Sequence, residues 1–391
     1  MKICLVSDYL VEYHPNWSGA ELVCQFLASL LEKKEKVFFL TTNPKKKTAE
    51  NVFVVPVLNS LGFLKKIIPL HLPVRTLAVF FHLLRIRPDV IHLFHTNSLF
   101  IPTLLAAKIL KIPATFTVLD YWILCPTGHL RLQDGSICRE GQGDNCKKCV
   151  SLMKLWERKL VLWLSRDLKD IITFTETSKR RMVEYGFPEE KIRVQYVYNF
   201  KMALQKREKE IYDVLFVGTF KPQKGLHIVI KAMAEVLKKI PSSRLTVVGR
   251  GMGQDQERIE ELAKKEKVLD SIDFLGQKEN RDVLRIVSQS KVMVVAEQWF
   301  SDFGPVALVE AMAQGRGLVS GNLGSASDFI REGQSGFLVD YDKPDQFAEK
   351  IICLLQDQGK RELMGRQAEK SIEHFFLPEH KEKIFNLYTS L

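Results

Sequence analysis

The 391-residue sequence predicts an α/β protein made of two parallel-sheet domains. Three observations carry that prediction. Short buried-strand patterns alternate with helical patterns along the chain, the order that builds a parallel sheet. Residues 201–210, KMALQKREKE, are highly charged with no apolar period and read as a linker between two such runs. Residues 302–315, DFGPVALVEAMAQG, read as a loop becoming a helix, followed by a short buried strand at 317–320.

Composition is that of a soluble globular protein, 46% hydrophobic and 26% charged, with length enough for two domains. The net charge of +11 points to an anionic partner: nucleic acid, an acidic membrane surface or an anionic substrate. The opening residues, MKICLVS, form a strand pattern and are too short for a signal peptide. No apolar run approaches the ~20 residues that span a bilayer. Seven cysteines, an odd count, without an export signal argue for a reducing cytoplasm.

Residues 2–7 read as a buried strand, 8–18 as a polar loop and 20–31 as a helix with Leu22, Phe26, Leu27 and Leu30 at helical spacing. A second strand follows at 37–41. Gly19 then places bare backbone at the carboxyl edge of a sheet, where open α/β folds bind ligands, or it simply makes a turn. Residues 61–88 mix large apolar side chains with Lys65, Lys66, Arg75, Arg85 and Arg87 and contain no acid. That is either an amphipathic segment for an anionic membrane face or a core helix with a solvated basic rim. Strands are expected at 89–95, with His92 and His95 near its end, and at 113–119, ending before Asp120.

The next loop holds Cys125, Cys138, Cys146 and Cys149, the last two spaced C-x-x-C. Four thiolates so close fit a closed structural zinc site; the alternative is a set of ordinary thiols. A helix at 151–168, strand at 171–175, basic helix at 176–185 and strand at 192–197 complete the first half.

The second half starts with a strand at 212–217 and a glycine-bounded loop, Gly218 and Thr219 through Lys224 to Gly225. Lys224 beside a flexible glycine can reach a phosphate as a point charge. A helix at 226–237 and a strand at 245–248 lead into Gly249, Arg250 and two further glycines, a weak dinucleotide signal alone. A helix at 257–266, a strand at 272–275 ending at Gly276, and a strand at 292–296 follow. In the 302–315 stretch, Gly304 lets backbone approach a ligand and Pro305 suits a first helical position. The N–H groups there suit a phosphate. Glu310, about two turns on, has two oxygens for a pair of hydroxyls. A short strand at 337–340 and helices at 346–355, 363–375 and 379–391 finish the chain.

These motifs resemble the family 4 retaining glycosyltransferases, whose GT-B architecture sets two facing Rossmann-like domains with parallel sheets across a cleft. The resemblance runs over nearly the whole chain. It rests on Ser18-Gly-Ala-Glu21, Asp89-Val-Ile-His92, Asp120-Tyr-Trp with Cys-Pro after it, the 218–225 loop, Phe303-Gly304, Glu310-Ala-Met-Ala-Gln-Gly315 and Gly333-Gln-Ser-Gly336. It implies an acceptor-binding domain at 1–200 with a Cys-rich insertion near 120–150. A nucleotide-sugar-binding domain would occupy 201–375, and a helix at 376–391 would cross back to the first domain. It further implies that Glu310 holds a ribose and Lys224 the diphosphate. Asp302 would be the acidic residue eight positions before Glu310. The donor would lie on Gly218, Thr219, Gly249, Arg250, Gly276, Phe303, Gly304, Pro305 and Val306, with Gly19 and Asp120 on the acceptor side. Catalysis would need no metal cofactor.

The chain departs from the family pattern in four places, one of them Gly324-Ser325 with Asp328 where two glycines and a later Glu are usual. Thr219 stands where an Arg is usual, with Lys221 and Arg250 nearby. Phe303 and Gly304 lie one residue further from Glu310 than usual, which leaves Ser301 as the alternative to Asp302. Leu119 stands where a His is frequent. The function expected is transfer of a sugar from a UDP-, GDP- or ADP-sugar to a glycan or lipid-linked acceptor in cell-surface polysaccharide biosynthesis, at the inner membrane face. The alternative is a weak or inactive relative that binds nucleotide or glycan as an assembly partner. No aromatic-and-basic stacking motif or helix-turn-helix pattern supports a nucleic-acid partner.

Overall fold

The computed structural model describes residues 1–14, 19–56, 71–94, 96–125, 127–128, 130, 132, 136–138, 146–196, 208–300, 306–375 and 378–389. The chain divides into two compact units: Met1–Asn199 with Lys381–Leu391, and Phe200–His380.

The first unit runs β1 (Lys2–Val6), α1 (Gly19–Leu31), β2 (Lys36–Thr42), β3 (Val52–Val55), α2 (His71–Ile86), β4 (Val90–Leu93), α3 (Phe100–Leu110) and β5 (Ala114–Thr117). It continues with α4 (Cys146–Cys149), α5 (Leu152–Ser165), β6 (Asp170–Thr173), α6 (Glu176–Glu184) and β7 (Ile192–Val194). Among the described residues the sheet has seven strands, all parallel, in the order β3-β2-β1-β4-β5-β6-β7. Ile3, Cys4, Leu5 and Val6 are all fully buried, as a central strand covered by helices on both faces requires.

The second unit runs β8 (Tyr212–Val217), α7 (Leu226–Lys239), β9 (Leu245–Val248), α8 (Asp255–Lys265), β10 (Ile272–Gly276), α9 (Asn280–Ser288) and β11 (Ser290–Val295). Then come α10 (Val306–Ala313), β12 (Gly317–Gly321), α11 (Ala326–Phe329), β13 (Phe337–Val339), α12 (Pro344–Gln356) and α13 (Gln358–Ile372). Its parallel sheet has the order β10-β9-β8-β11-β12-β13. Each unit is thus a Rossmann-like layered domain. In each, connections leave the central pair in opposite directions, which opens a crevice beyond the strand ends there. The central pair is β1 and β4 in the first unit, β8 and β11 in the second.

Two features differ from the sequence reading. Of the expected linker, residues 201–207 lie outside the described residues, and its acidic end is docked in the second unit. Glu210 accepts from Arg361 at 2.7 and 3.3 Å and lies 3.6 Å from Arg316. Both guanidiniums are buried, so each needs a counter-charge that outlying sequence supplies. And the apolar 61–88 segment is partly the helix α2; residues 57–70 lie outside the described residues.

The last helix, α14 (Pro378–Thr389), seats Ile384 and Tyr388 in the core of the first unit. The Tyr388 hydroxyl meets His92 Nδ1, and His92 Nε2 lies 2.6 Å from Thr117 Oγ1. The ring also stacks on Phe94 at 4.2 Å. Burial pushes the His92 pKa down to about 3, so the imidazole is neutral. His92 is therefore a core histidine; His95 lies outside the described residues. Tyr388→Phe leaves a buried ring nitrogen unpaired and should cost about 1–3 kcal/mol. Urea unfolding at neutral pH should show the midpoint lowered, and an unchanged midpoint would refute this tether.

Candidate functional site

The site is built from loops at the carboxyl edge of the second sheet. Gly218 N–H donates to Val248 O at 2.9 Å, Gly249 N–H to Gly276 O at 3.0 Å and Phe220 N–H to Arg250 O at 3.3 Å. The loops after β8, β9 and β10 are thereby joined backbone to backbone. Gly249 has φ +138°, and a Cβ there would lie 1.9 Å from Gly218 O. Only glycine permits that approach.

Past Phe220 the chain forms one 3-10 turn, Pro222–Lys224, ended by Gly225 at φ +76°. A Cβ on Gly225 would lie 1.7 Å from Ala296 O, and Gln298 N–H donates to Gln223 O at 2.7 Å. The turn is pressed against the segment that follows β11. This contact sets the Lys224 ammonium 2.5 Å from Glu297 Oε1 and 5.4 Å from the Trp299 ring centre. The Trp299 indole N–H donates to the other Glu297 oxygen at 3.2 Å. The Lys224 side chain keeps 34% of its surface open to solvent.

Glu310 lies on α10, which follows β11. Leu308, Val309, Ala311 and Met312 bury the helix in the core, and Glu310 itself is only 7% exposed. Its carboxylate has no hydrogen-bond or ion-pair partner among the described residues, and burial alone pushes its pKa up to about 7. A desolvated acid with no partner is costly, and such groups concentrate at binding and catalytic sites. Because β8 and β11 are neighbours, Lys224 and Glu310 follow the two strands that flank the crevice.

The loops that carry Gly218, Thr219, Lys224, Gly249, Arg250 and Gly276 meet at this sheet edge, with Thr219 and Arg250 exposed, and Glu310 lies on the helix that follows the neighbouring strand β11. Val306 opens α10. Asp302, Phe303, Gly304 and Pro305 lie outside the described residues. In the first unit, Gly19 opens α1 after β1. Asp120 follows β5 and accepts from Trp122 N–H at 3.0 Å, capping the 3-10 turn Tyr121–Ile123. Sequence reasoning missed Glu297, Gln298 and Trp299. A Glu and a Trp directly beyond a predicted parallel strand were the available signal.

Cys125, Cys138, Cys146 and Cys149 are half-buried and form no disulfide among the described residues. Among the described residues no group of three or more His, Cys, Asp or Glu side chains is placed to hold a metal ion. Cys125, Cys138 and Cys146 all lie within electrostatic reach of Tyr185; Cys125 Sγ lies 3.1 Å from Thr127 Oγ1, and Cys146 and Cys149 open and close the one-turn helix α4.

Residues 17–197 match the family model described as Glycosyltransferase Family 4, and residues 199–371 match that described as Glycosyl transferases group 1. The chain therefore carries a Glycosyltransferase Family 4 domain followed by a Glycosyl transferases group 1 domain, each in a Rossmann-like layered unit. Among particular proteins, it is 31% identical over 172 residues to Spore coat protein SA of Bacillus subtilis, covering 42% of this chain and 44% of that one. It is 30% identical over 218 residues to an uncharacterized glycosyltransferase, MJ1607, of Methanocaldococcus jannaschii, covering 52% and 55%. The chain thus spans about half the length of these curated relatives. The crystal structure of Anabaena Alr3699/HepE in complex with UDP superposes over the full length of both chains, with a TM-score of 0.76 and 18% identity.

Gly225→Ala should cost at least ~1–3 kcal/mol, because it adds a side chain at positive φ directly against a backbone carbonyl. Chemical unfolding of the purified variant should show this. Wild-type stability would mean that the turn and the Ala296 segment part without penalty.

Proposed function

We propose that the protein transfers a hexosyl group, with retention of configuration, from a nucleoside-diphosphate sugar to a glycan or lipid-linked acceptor. The setting proposed is assembly of a cell-surface polysaccharide at the inner membrane face. One observation carries the reading: a buried carboxylate without a partner and a half-exposed ammonium follow adjacent strands at the crevice of one sheet. Glu310 accepts both ribose hydroxyls through its two oxygens. Lys224 lies along the diphosphate. As the bond from the sugar's anomeric carbon to the diphosphate oxygen breaks, negative charge grows on that oxygen, and the ammonium and the N-terminus of α10 oppose it. Such preorganised partners are worth ~10²–10³ in rate each. In this reading they replace a divalent ion. Asp302 and the residues 303–306 hold the distal sugar and phosphate, and the first unit takes the acceptor near Gly19 and Asp120. The Anabaena structure is a UDP complex, so a UDP-sugar is the first donor to test.

A second reading has its own observation. Lys224 is already paired with Glu297, and Thr219 offers no second charge, so the protein can be a nucleotide or glycan binder with little turnover. Donor turnover separates the two. Lys224→Ala and Glu310→Gln should each reduce turnover of UDP-glucose by ~10²-fold or more. A purified wild-type protein that binds nucleotide but turns over no nucleotide sugar would favour the second reading.

Binding should also depend on pH. Glu310 has its pKa raised on folding, so its contribution to stability is full below the ordinary carboxylate range and is lost as pH rises through about 7. Hydroxyl donors select the charged form, so UDP-glucose affinity should run the other way and rise by about tenfold between pH 6 and 8. Calorimetry at the two pH values measures it, and the slope should vanish in Glu310→Gln. The same slope in that variant would remove Glu310 from the site.

A further inference from the structure

In the first unit, β1, β4, β5 and β6 follow one another in a single direction across the sheet, so right-handed crossovers put α2, α3 and α5 in one layer. The helices pack in that order, α2 on α3 and α3 on α5. The outer face of this layer is unusually apolar. On α2, Val74, Leu77, Phe81 and Leu84 recur at spacings of three and four, a single helical stripe, and are 39, 56, 63 and 42% exposed. On α5, Trp156 and Trp163, seven residues apart, are 70 and 50% exposed. Ile109, 65% exposed, adds α3 to the same surface.

The charge around this patch is predominantly positive. Arg85, Lys108, Lys154 and Lys159 are exposed on the three helices; the one acid within these helices is Glu157, paired with Lys154 at 3.1 Å, and Asp167 just beyond α5 pairs with Lys108 at 2.7 Å. Lys108 sits 4.3 Å above the Trp163 ring, bridging α3 and α5, and Lys159 sits 5.2 Å above Trp156. Cations held over the faces of exposed indoles place an apolar body and a positive head at one depth, the arrangement that suits a lipid headgroup layer. A protein partner burying this surface would need to supply an acidic rim; an anionic bilayer supplies negative charge and hydrocarbon together.

We infer that the outer face of α2, α3 and α5 docks on an anionic lipid bilayer, with Trp156 and Trp163 of α5 inserted beside the Leu77–Phe81 stripe of α2. No helix among the described residues is long and apolar enough to cross a membrane, so the contact is interfacial. The inference extends the lipid-acceptor reading above but is tested apart from it: vesicle binding tests this surface, and donor turnover in solution tests that site.

The full-length protein should float with vesicles of phosphatidylcholine mixed with phosphatidylglycerol, and not with phosphatidylcholine alone. Its tryptophan emission should shift blue on binding, and added salt should weaken binding. Trp156→Ala with Trp163→Ala should reduce vesicle partition by about tenfold or more. Lys154→Gln and Lys159→Gln should each reduce it about fivefold. Turnover of a soluble donor and thermal unfolding should stay at wild-type values in all three variants. No flotation of wild type at low salt would overturn the inference, and so would equal flotation of the tryptophan variant. A self-association that disappears in that variant, without vesicle binding, would assign the face to a second copy of the chain and also overturn it.

Discussion

The candidate site rests on two backbone approaches that no side chain tolerates. At one, the carbonyl of Gly218 occupies the space a Cβ on Gly249 would need; at the other, the carbonyl of Ala296 does the same to Gly225. The first joins the loops after β8, β9 and β10 into a single rim. The second clamps the Lys224 turn to the strand exit of β11. The consequence is positional. A lysine has a flexible stem, and an ammonium placed by its own rotamers alone would be spread over several ångströms. Here the turn that carries it is fixed at both ends, and Glu297 with the Trp299 indole confines the head. A turn fixed in advance reduces the entropy lost on binding.

Glu310 and Lys224 solve opposite electrostatic problems. Glu310 is desolvated without a partner, so its charged form is disfavoured until hydroxyl donors arrive. Lys224 is partly solvated and neutralised in advance by Glu297. An incoming diphosphate must compete with that carboxylate for the ammonium, while an incoming diol meets no competitor at Glu310. Under the proposed roles, nucleoside recognition gains more from this geometry than phosphate recognition does. That asymmetry also keeps the reading of a binder with slow chemistry in contention.

Much of the architecture was legible because its signals are local. The strands Tyr212–Val217 and Leu245–Val248 were read to the residue from apolar runs bounded by polar or glycine positions. That Glu310 lies on a helix and Lys224 in a glycine-ended turn was legible from the local pattern. What escaped was non-local. β3 is four residues long, and its pairing with β2 supplies the signal that its sequence lacks. Glu297 acquires meaning only once the Lys224 turn is folded against it. The acids of the supposed linker looked solvated because their partners, Arg316 and Arg361, lie more than a hundred residues away. His92 could not be told from a ligand until Tyr388 closed over it. The exposed tryptophans of α5 sit at helical spacing, and spacing says that they share a face without saying which way the face points.

The two units share one topology, and their crevices differ in chemistry for reasons that lie in a few residues. In the first unit the rim beside β1 and β4 carries a buried carboxylate of its own, Asp8, within electrostatic reach of the Arg75 guanidinium. The Asp8 carboxylate accepts from Ser98 N–H at 2.7 Å, its carbonyl accepts from Thr41 and Thr42 hydroxyls, and His14 Nε2 lies 2.6 Å from Thr42 O. The described part of that rim presents no lysine comparable with Lys224. In the second unit the rim holds an ammonium and a desolvated acid. The proposed reading gives the charged diphosphate with its diol to the second unit and the glycan hydroxyl to the first. Fold alone does not make that assignment. What supports it is a buried carboxylate without partners among the described residues and a glycine-ended turn that carries a lysine.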